Sequence, residues 1–471
     1  MLRFFSLSLT LALLLGSARP ARAFSLLGLL ETWQVPLIGY NYLNTDIGGP
    51  KVLYEGYRWS VPYVYYGFDP SFMMYFGTDG VKAVDEAFRI LNALPPVSKW
   101  SADLSEFPLS STHVNYQAQS LGVYDLKSAT LGMLIEAMGL AESVRYTFCL
   151  RDRKTIAGSN PTAYDYYVIM RNYDPVTWEP SKYVNGVLYS YAVNEYILPI
   201  VYADADEYMV EPLDIEKGSV ANFTWYSGNS ANGGGLGLGQ FYSGITRDDA
   251  GGLRHLYSRQ NVVGEGLIAG ASNALAFAEG NGGYTMYFGN VTNNVNQSTT
   301  NSWWGGSVFM PNGYRAGLEK INFIKFNWNA GTNISPIWTD RVASNAYSRM
   351  ISQQCRRRLG TPDILFTATD LGMMANGAVP VTMQRTDEAR FQDNHAMNGV
   401  TVRAGPGVVV PPLVIQYSVL YPGYESTSYF NTEADAFKSL VWGTFDGTTN
   451  APIIMPRIIS VQDLVRRVYN P

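Results

Sequence analysis

Few side chains in this sequence combine a reactive type with a useful spacing. The three histidines, His113, His255 and His395, stand far apart. No two share the i, i+4 spacing that sets a pair of metal ligands on one helix face, and none has the partners of a nucleophilic triad. Carboxylates offer an alternative. Glu136 and Glu142 flank the Met-Gly-Leu turn of LKSATLGMLIEAMGLAES at 126–143, and two acids about 5–10 Å apart can hydrolyse a glycosidic bond. Asp204, Asp206 and Glu207 in YADADEY (202–208) could hold calcium, but the segment lacks the glycine and later glutamate of an EF-hand loop, and a solvated acidic turn competes. GGGLGLGQ (233–240) has phosphate-loop-like glycines without the Lys-Ser/Thr of a nucleotide site, so it reads as flexible loop. Cys149 and Cys355 are the two cysteines. A disulfide between them would close a loop of 206 residues (355 minus 149), worth roughly 5 kcal/mol in the entropic view; two separate buried thiols are the other reading.

The segment at 126–143 also carries a testable motif. Leu126, Thr130, Met133, Leu134, Ala137 and Met138 form a wide apolar helix face, Asp125 can cap its start, and Gly139 suits the left-handed position past its end. A zinc-peptidase helix carries His at i and i+4 with a general-base Glu at i+1, and in metzincins a glycine then turns the chain toward a third His. AMGLAES resembles the ALGLEHS-type run of matrixins, a metzincin family. VYYGFDPSFMMYFGTDGVKAVDEAF resembles that family's first strand and its helix with a V-x-x-A-F core. The resemblance covers about residues 57–149 and implies a metzincin-like α+β domain. Aligned on Gly139, the first ligand position is Gly132, the base position Met133, and the second and third ligand positions Glu136 and Glu142. All four depart from the family. IMRNYDP (169–175) is similar to its methionine turn but lies further from the helix than the pattern expects. Zinc needs three good ligands and an open position to acidify water, so the departures imply a degenerate site: no catalytic residue, metal or cofactor is assigned.

Elements must position these residues. A strand is expected over 57–68, with Pro62 near its start. A helix follows in GTDGVKAVDEAFRILNALPP, where Val81, Val84, Phe88 and Leu91 repeat at helical spacing before Pro95-Pro96. DYYVIMRNY (165–173) reads as a strand, and Asn185-Gly186 as the turn of a hairpin. DDAGGLRHLYSR gives a short helix and Asn322–Trp328 a half-buried strand. Tyr347, Ile351 and Cys355 suggest a five-turn helix from Asp340 to Leu359, with Arg356–Arg358 in its last turn suiting the helix dipole without an anion partner. VVVPPLVIQYSVLY supplies strands. Thr432 with Asp435 and Ser460 with Asp463 resemble capping boxes that open helices near 433–442 and 461–468. Residues 227–306 are Gly- and Asn-rich loops.

At 471 residues the chain exceeds one ordinary core. Arg3, the short apolar run from Phe4 to Gly16 and the small-x-small Ala21-Arg22-Ala23 read as a signal peptide over 1–23, with Phe24 the new N-terminus. A degenerate matrixin-like domain over 24–200, a Gly/Asn-rich β/loop region over 201–335 and a mixed, β-rich domain over 336–471 follow. The fold class is α+β, with 33 tyrosines and 45 glycines favouring strands and turns. The leader holds three arginines and no acid, so the net charge moves from −5 to −8 on its removal (−5 minus 3). That sign argues against nucleic acid and anionic membranes as partners, and no apolar run reaches the roughly 20 residues of a membrane span. Asn222, Asn290, Asn296 and Asn333 lie in N-x-Ser/Thr sequons. Tyr63, Tyr65, Tyr66 and Trp303-Trp304 are candidate contact surfaces, with core packing the competing reading. The expectation is a secreted, non-catalytic binding or structural protein that meets extracellular glycan, protein or itself. A secreted hydrolase using carboxylates is the alternative.

Overall fold

A computed structural model describes residues 23–28, 33, 49–53, 58–141, 143–159, 163–200, 203–210, 236–265, 278–280, 283–285, 313–344, 349–368, 413–416 and 441–455. In chain order, the elements that matter here begin with β1 (Phe24–Gly28), β2 (Tyr63–Phe68) and α1 (Pro70–Ala93). Then come β3 (Val123–Asp125), α2 (Leu126–Ala137), β4 (Leu140–Ala141) and β5 (Asn172–Tyr173). The remainder are α3 (Arg247–Tyr257), β6 (Asn322–Lys325), β7 (Ile364–Thr367), β8 (Leu413–Gln416) and β9 (Val441–Thr444). Helices and strands mix, so the class is α+β.

At the centre is a parallel sheet in the order β6-β2-β7-β8. Strands from each of the three segments expected at 24–200, 201–335 and 336–471 share it. β2 is short and rich in β-branched and aromatic residues, and Val64, Tyr65, Tyr66 and Phe68 are all buried. Tyr63 is half-buried, so this aromatic run is packing and not a contact surface. Trp303-Trp304 lies outside the described residues.

α1 starts earlier than its periodicity suggests. Asp69 accepts from Phe72 N at 2.9 Å, Pro70 occupies the first turn, and the helix passes a kink at Gly77 (φ 59°) before resuming. Phe72, Phe76, Val84, Phe88 and Leu91 face the sheet, with Phe88 stacked on Tyr66 at 3.7 Å. Tyr66 O–H donates to Asp85 at 2.9 Å and Lys325 Nζ to the same carboxylate at 2.8 Å, tying α1 to β2 and β6.

A second group of strands surrounds β1, which pairs antiparallel with Gly49–Lys51, β4 and β5. β9 runs parallel to β3 and antiparallel to Ile453–Met455. The hairpin at 183–188 forms as expected, with Asn185 (φ 46°) and Gly186 (φ 84°) both left-handed, as a two-residue turn requires.

Three expectations fail. Residues 340–359 are not a helix: Trp338–Ser344 and Arg349–Cys355 are antiparallel strands, paired from Trp338↔Cys355 to Ser344↔Arg349. Asp340 is buried between exposed Thr339 and Arg341, so a polar inward residue hid the two-residue alternation. Arg356–Arg358 therefore close no helix. Arg357 is buried, and its guanidinium donates to both oxygens of buried Asp363 and, at 3.1 Å, to Tyr63 O. Asp363 also accepts from Tyr65 N at 2.9 Å, so the pair locks the β2 backbone. Losing one partner of such a pair costs about 3–5 kcal/mol. Asp204, Asp206 and Glu207 lie on a strand, Ala203–Val210, and not on a turn; their side chains lie outside the described residues. The helix expected near 433–442 gives way to β9 at its end, its earlier part and the one near 461–468 being outside the described residues.

Candidate functional site

Both ends of α2 are consumed by the core. Asp125 caps its start, with Oδ2 accepting from Ser128 N at 3.0 Å and from the Ser128 hydroxyl. Ser128 Oγ in turn accepts from Tyr242 N at 2.7 Å, fastening the helix to the strand Gln240–Tyr242. Asp125 is fully buried, and burial pushes its carboxyl up to about 6, opposed by Lys127 and the bonds from Ser128. That range suits a general acid, but a carboxyl with no exposure and a helix amide on its oxygen touches no substrate.

At the other end Gly139 turns the chain at φ 107°. The carbonyls at and just past the helix end have no intrahelical partner, and three neighbours pair with them. Trp59 Nε1 donates to Ala137 O at 3.0 Å, Tyr257 O–H to Met138 O at 2.9 Å, and Leu27 N to Gly139 O at 2.8 Å. Trp59 and Tyr257 are themselves buried, and Trp59 N donates to the Tyr257 oxygen at 3.3 Å. Between these ends Gly132 is buried, Met133 is half-buried against the main core, and Glu136 is half-buried. Glu142 lies outside the described residues. Among those described, no three His, Cys, Asp or Glu side chains group as metal ligands.

The histidines are brought to partners that sequence spacing could not show. His113 Nε2 meets Ser243 Oγ at 3.2 Å because Thr112–Val114 pairs with Gln240–Tyr242. The contact resembles a nucleophile with its base, but the hydrogen bonding runs the other way. Ser243 donates its one proton to Ser111 O at 3.2 Å, leaving the imidazole to donate. Both residues are also exposed. His255 donates from Nε2 to Leu53 O at 2.7 Å, and burial pushes its pKa down, so the ring is neutral. His395 lies outside the described residues. Cys149 is buried with Sγ 3.5 Å from Tyr146 O, while the side chain of Cys355 is not among those described. Asn333 is buried and exchanges hydrogen bonds with the Asn327 backbone at 2.9 Å in both directions, so its sequon is closed to a glycosylating enzyme in the folded chain. The other three sequons lie outside the described residues.

Strand order in the parallel sheet reverses between β2 and β7, the place where open α/β sheets take ligands beyond their carboxyl ends. Asp69, Ser71 and Thr367 meet there. Ser71 Oγ donates to Asp69 Oδ1 at 2.6 Å, accepts from Ala368 N at 2.8 Å and meets Thr367 Oγ1 at 3.0 Å. The cluster spends these groups on itself, stitching the start of α1 to the end of β7.

The turn at 174–179 is built differently. Asp174 N donates to Glu179 O and Trp178 N to Asp174 O, both at 2.9 Å, while Asp174 Oδ1 accepts from Val176 N and Thr177 N at 2.8 Å. Arg254 Nη2 holds Pro175 O at 3.0 Å. This geometry leaves Trp178 at φ 65°, a position that glycine or asparagine takes without difficulty and a bulky side chain at a cost of order 1–3 kcal/mol. The indole rests edge-on against Phe24 at 6.2 Å and tilted on His255 at 5.1 Å, yet Trp178 stays 41% exposed. Sequence reasoning missed this residue. YDPVTWEP shows an Asp-Pro turn signal, but nothing in the pattern says which residue becomes left-handed.

No family model, curated protein or solved structure matches the chain.

Proposed function

We propose that this chain is an exported, non-catalytic binding protein, built in part on a degenerate matrixin-like scaffold. One observation carries the reading: the helix that most resembles a catalytic element spends both its ends on packing. The carbonyls of Ala137, Met138 and Gly139, at and just past its end, are taken by Trp59, Tyr257 and Leu27, and the strongly perturbed carboxyl at its start, Asp125, is a buried cap. That use of the helix ends supports a packing role for the segment. Extracellular glycan, protein or a second copy of the chain is the partner class, and the acidic balance disfavours nucleic acid. Export is supported by the leader and by the start of β1 at Phe24, so cleavage after Ala23 leaves the whole strand in the mature chain. Among the described residues no helix is long and apolar enough to cross a membrane.

Metal analysis and a peptidase panel on the mature protein test the catalytic half of the reading. The expected result is zinc well below one equivalent and no turnover. Stoichiometric zinc, with turnover abolished in Glu136→Gln, would overturn it. N-terminal sequencing of exported protein is expected to begin at Phe24, and a retained leader would remove the argument for export.

A further inference from the structure

β1 is enclosed on both edges. On one it pairs with β4, through Ser25↔Ala141 and Leu26↔Leu140. On the other it pairs first with β5, through Phe24↔Tyr173 and Ser25↔Asn172, and then with Gly49–Lys51. Ala23, Phe24, Ser25 and Leu26 are each at most 1% exposed. The Phe24 ring lies among Tyr173, Trp178 and His255, at centroid distances of 6.4, 6.2 and 5.6 Å. Ser25 Oγ donates to the side-chain oxygen of buried Asn172 at 3.4 Å, and Asn172 donates in turn to Thr147 Oγ1 at 3.2 Å and Tyr183 O at 3.0 Å.

The slot ends where the strand begins. One residue past Tyr173, Asp174 donates its N–H to Glu179 O and accepts from Trp178 N, both at 2.9 Å. That turn takes the partner strand away, and the ladder with β5 stops at Phe24. The small-x-small signal Ala21-Arg22-Ala23 puts a cut at the same residue. Nicking of a chain is decided by the burial and hydrogen bonding of the backbone around the bond. Once β1 is seated, the residues that follow the Ala23–Phe24 bond are buried and paired, and a peptidase has no extended segment to take. We infer that removal of residues 1–23 and seating of β1 exclude each other: a signal peptidase cuts only while β1 is out of its sheet, and a chain that folds uncut keeps its leader. The step consumes one water, breaks the Ala23–Phe24 amide, and leaves a carboxylate on Ala23 and an ammonium on Phe24. Because β5 closes one edge of the slot, the bond stays open to the enzyme until residue 173 has been made. This rests on the reading of residues 1–23 as an export leader and adds when in the life of the chain the cut is made.

The uncut 471-residue chain, folded in mild detergent, and a synthetic peptide of residues 1–30 are each treated with a purified signal peptidase. Mass spectrometry follows the cut, and hydrogen exchange on the same sample reports whether amides 24–28 are protected. A precursor protected there is expected to be cut at least about 100-fold more slowly than the peptide, because only its rare open form is a substrate. A precursor that does not reach protection is expected to be cut at the peptide's rate and to gain protection only afterwards; protection that never follows the cut counts against the inference. A protected precursor cut at the peptide's rate would overturn it and leave the export reading standing. A peptide that the enzyme does not cut after Ala23 would overturn the export reading and the inference with it.

Discussion

Gly139 and Trp178 occupy the same kind of backbone position and answer it oppositely. At the end of α2 the chain turns at φ 107° with glycine, and the carbonyls of the turn are paired with buried Trp59 and Tyr257 and with Leu27 N. At the 174–179 turn the chain is also left-handed, but the residue is a large aromatic with an open face. Where a backbone demand is the whole requirement, the residue without a side chain meets it. Where the strained choice persists, its side chain supplies something the backbone does not. The two turns therefore meet one backbone demand in two ways, one by removing the side chain and one by holding a strained aromatic in place.

The comparison can be broken most forcefully at Trp59. Trp59→Ala should cost about 3–5 kcal/mol from the cavity alone, more for the orphaned Ala137 carbonyl, read from urea unfolding. A loss below about 2 kcal/mol would mean the end of α2 is not anchored as described.

A pH series probes the other end of the same helix. The Asp125 carboxyl sits at about 6 in the folded chain against an ordinary 3.8, so folding favours the protonated form. Its contribution is fully present below about pH 3.8 and is lost as pH rises through 6, a change of about 2–3 kcal/mol. Asp125→Asn keeps a capping side chain and removes the decline. The quantity to follow is the stability difference between the two proteins from pH 3.5 to 7. A flat difference would show that the cap carries no such shift.

Glycine's role is tested next. Gly139→Ala should destabilise by about 1–3 kcal/mol, because a Cβ is strained at that φ. At the second turn the same logic reverses sign: Trp178→Gly should be more stable than Trp178→Ala by about 1 kcal/mol. Since both variants lose the indole, their difference in thermal unfolding isolates the backbone. Equal stabilities would mean position 178 is not strained, and the contrast with Gly139 would lose its basis.

Sequence reached the local elements better than their assembly. Asp125 as a cap, Gly139 as the left-handed stop, the Asn185-Gly186 hairpin and α3 were legible, because each follows from interactions within a few residues. The parallel sheet was not, since no periodicity reports which of four strands far apart in the chain lie side by side. The hairpin at 338–355 was misread because Asp340 points inward and Tyr347, Ile351 and Cys355 happen to fall at helical spacing. Arg357 looked like a helix-dipole residue only under that error; its partner Asp363 sits six residues on, beyond any local template. The position of Trp178 depends on a backbone angle and on Phe24 and His255, which come from distant parts of the chain.

The order of strands in the central sheet also sets a timetable. β2 is made early, yet its neighbour β6 follows about 260 residues later, with β7 and β8 later still. At about 5–20 residues per second of synthesis, Val64, Tyr66 and Phe68 wait roughly 10–50 seconds before the first adjacent strand exists. Such long-range closure makes for slow folding.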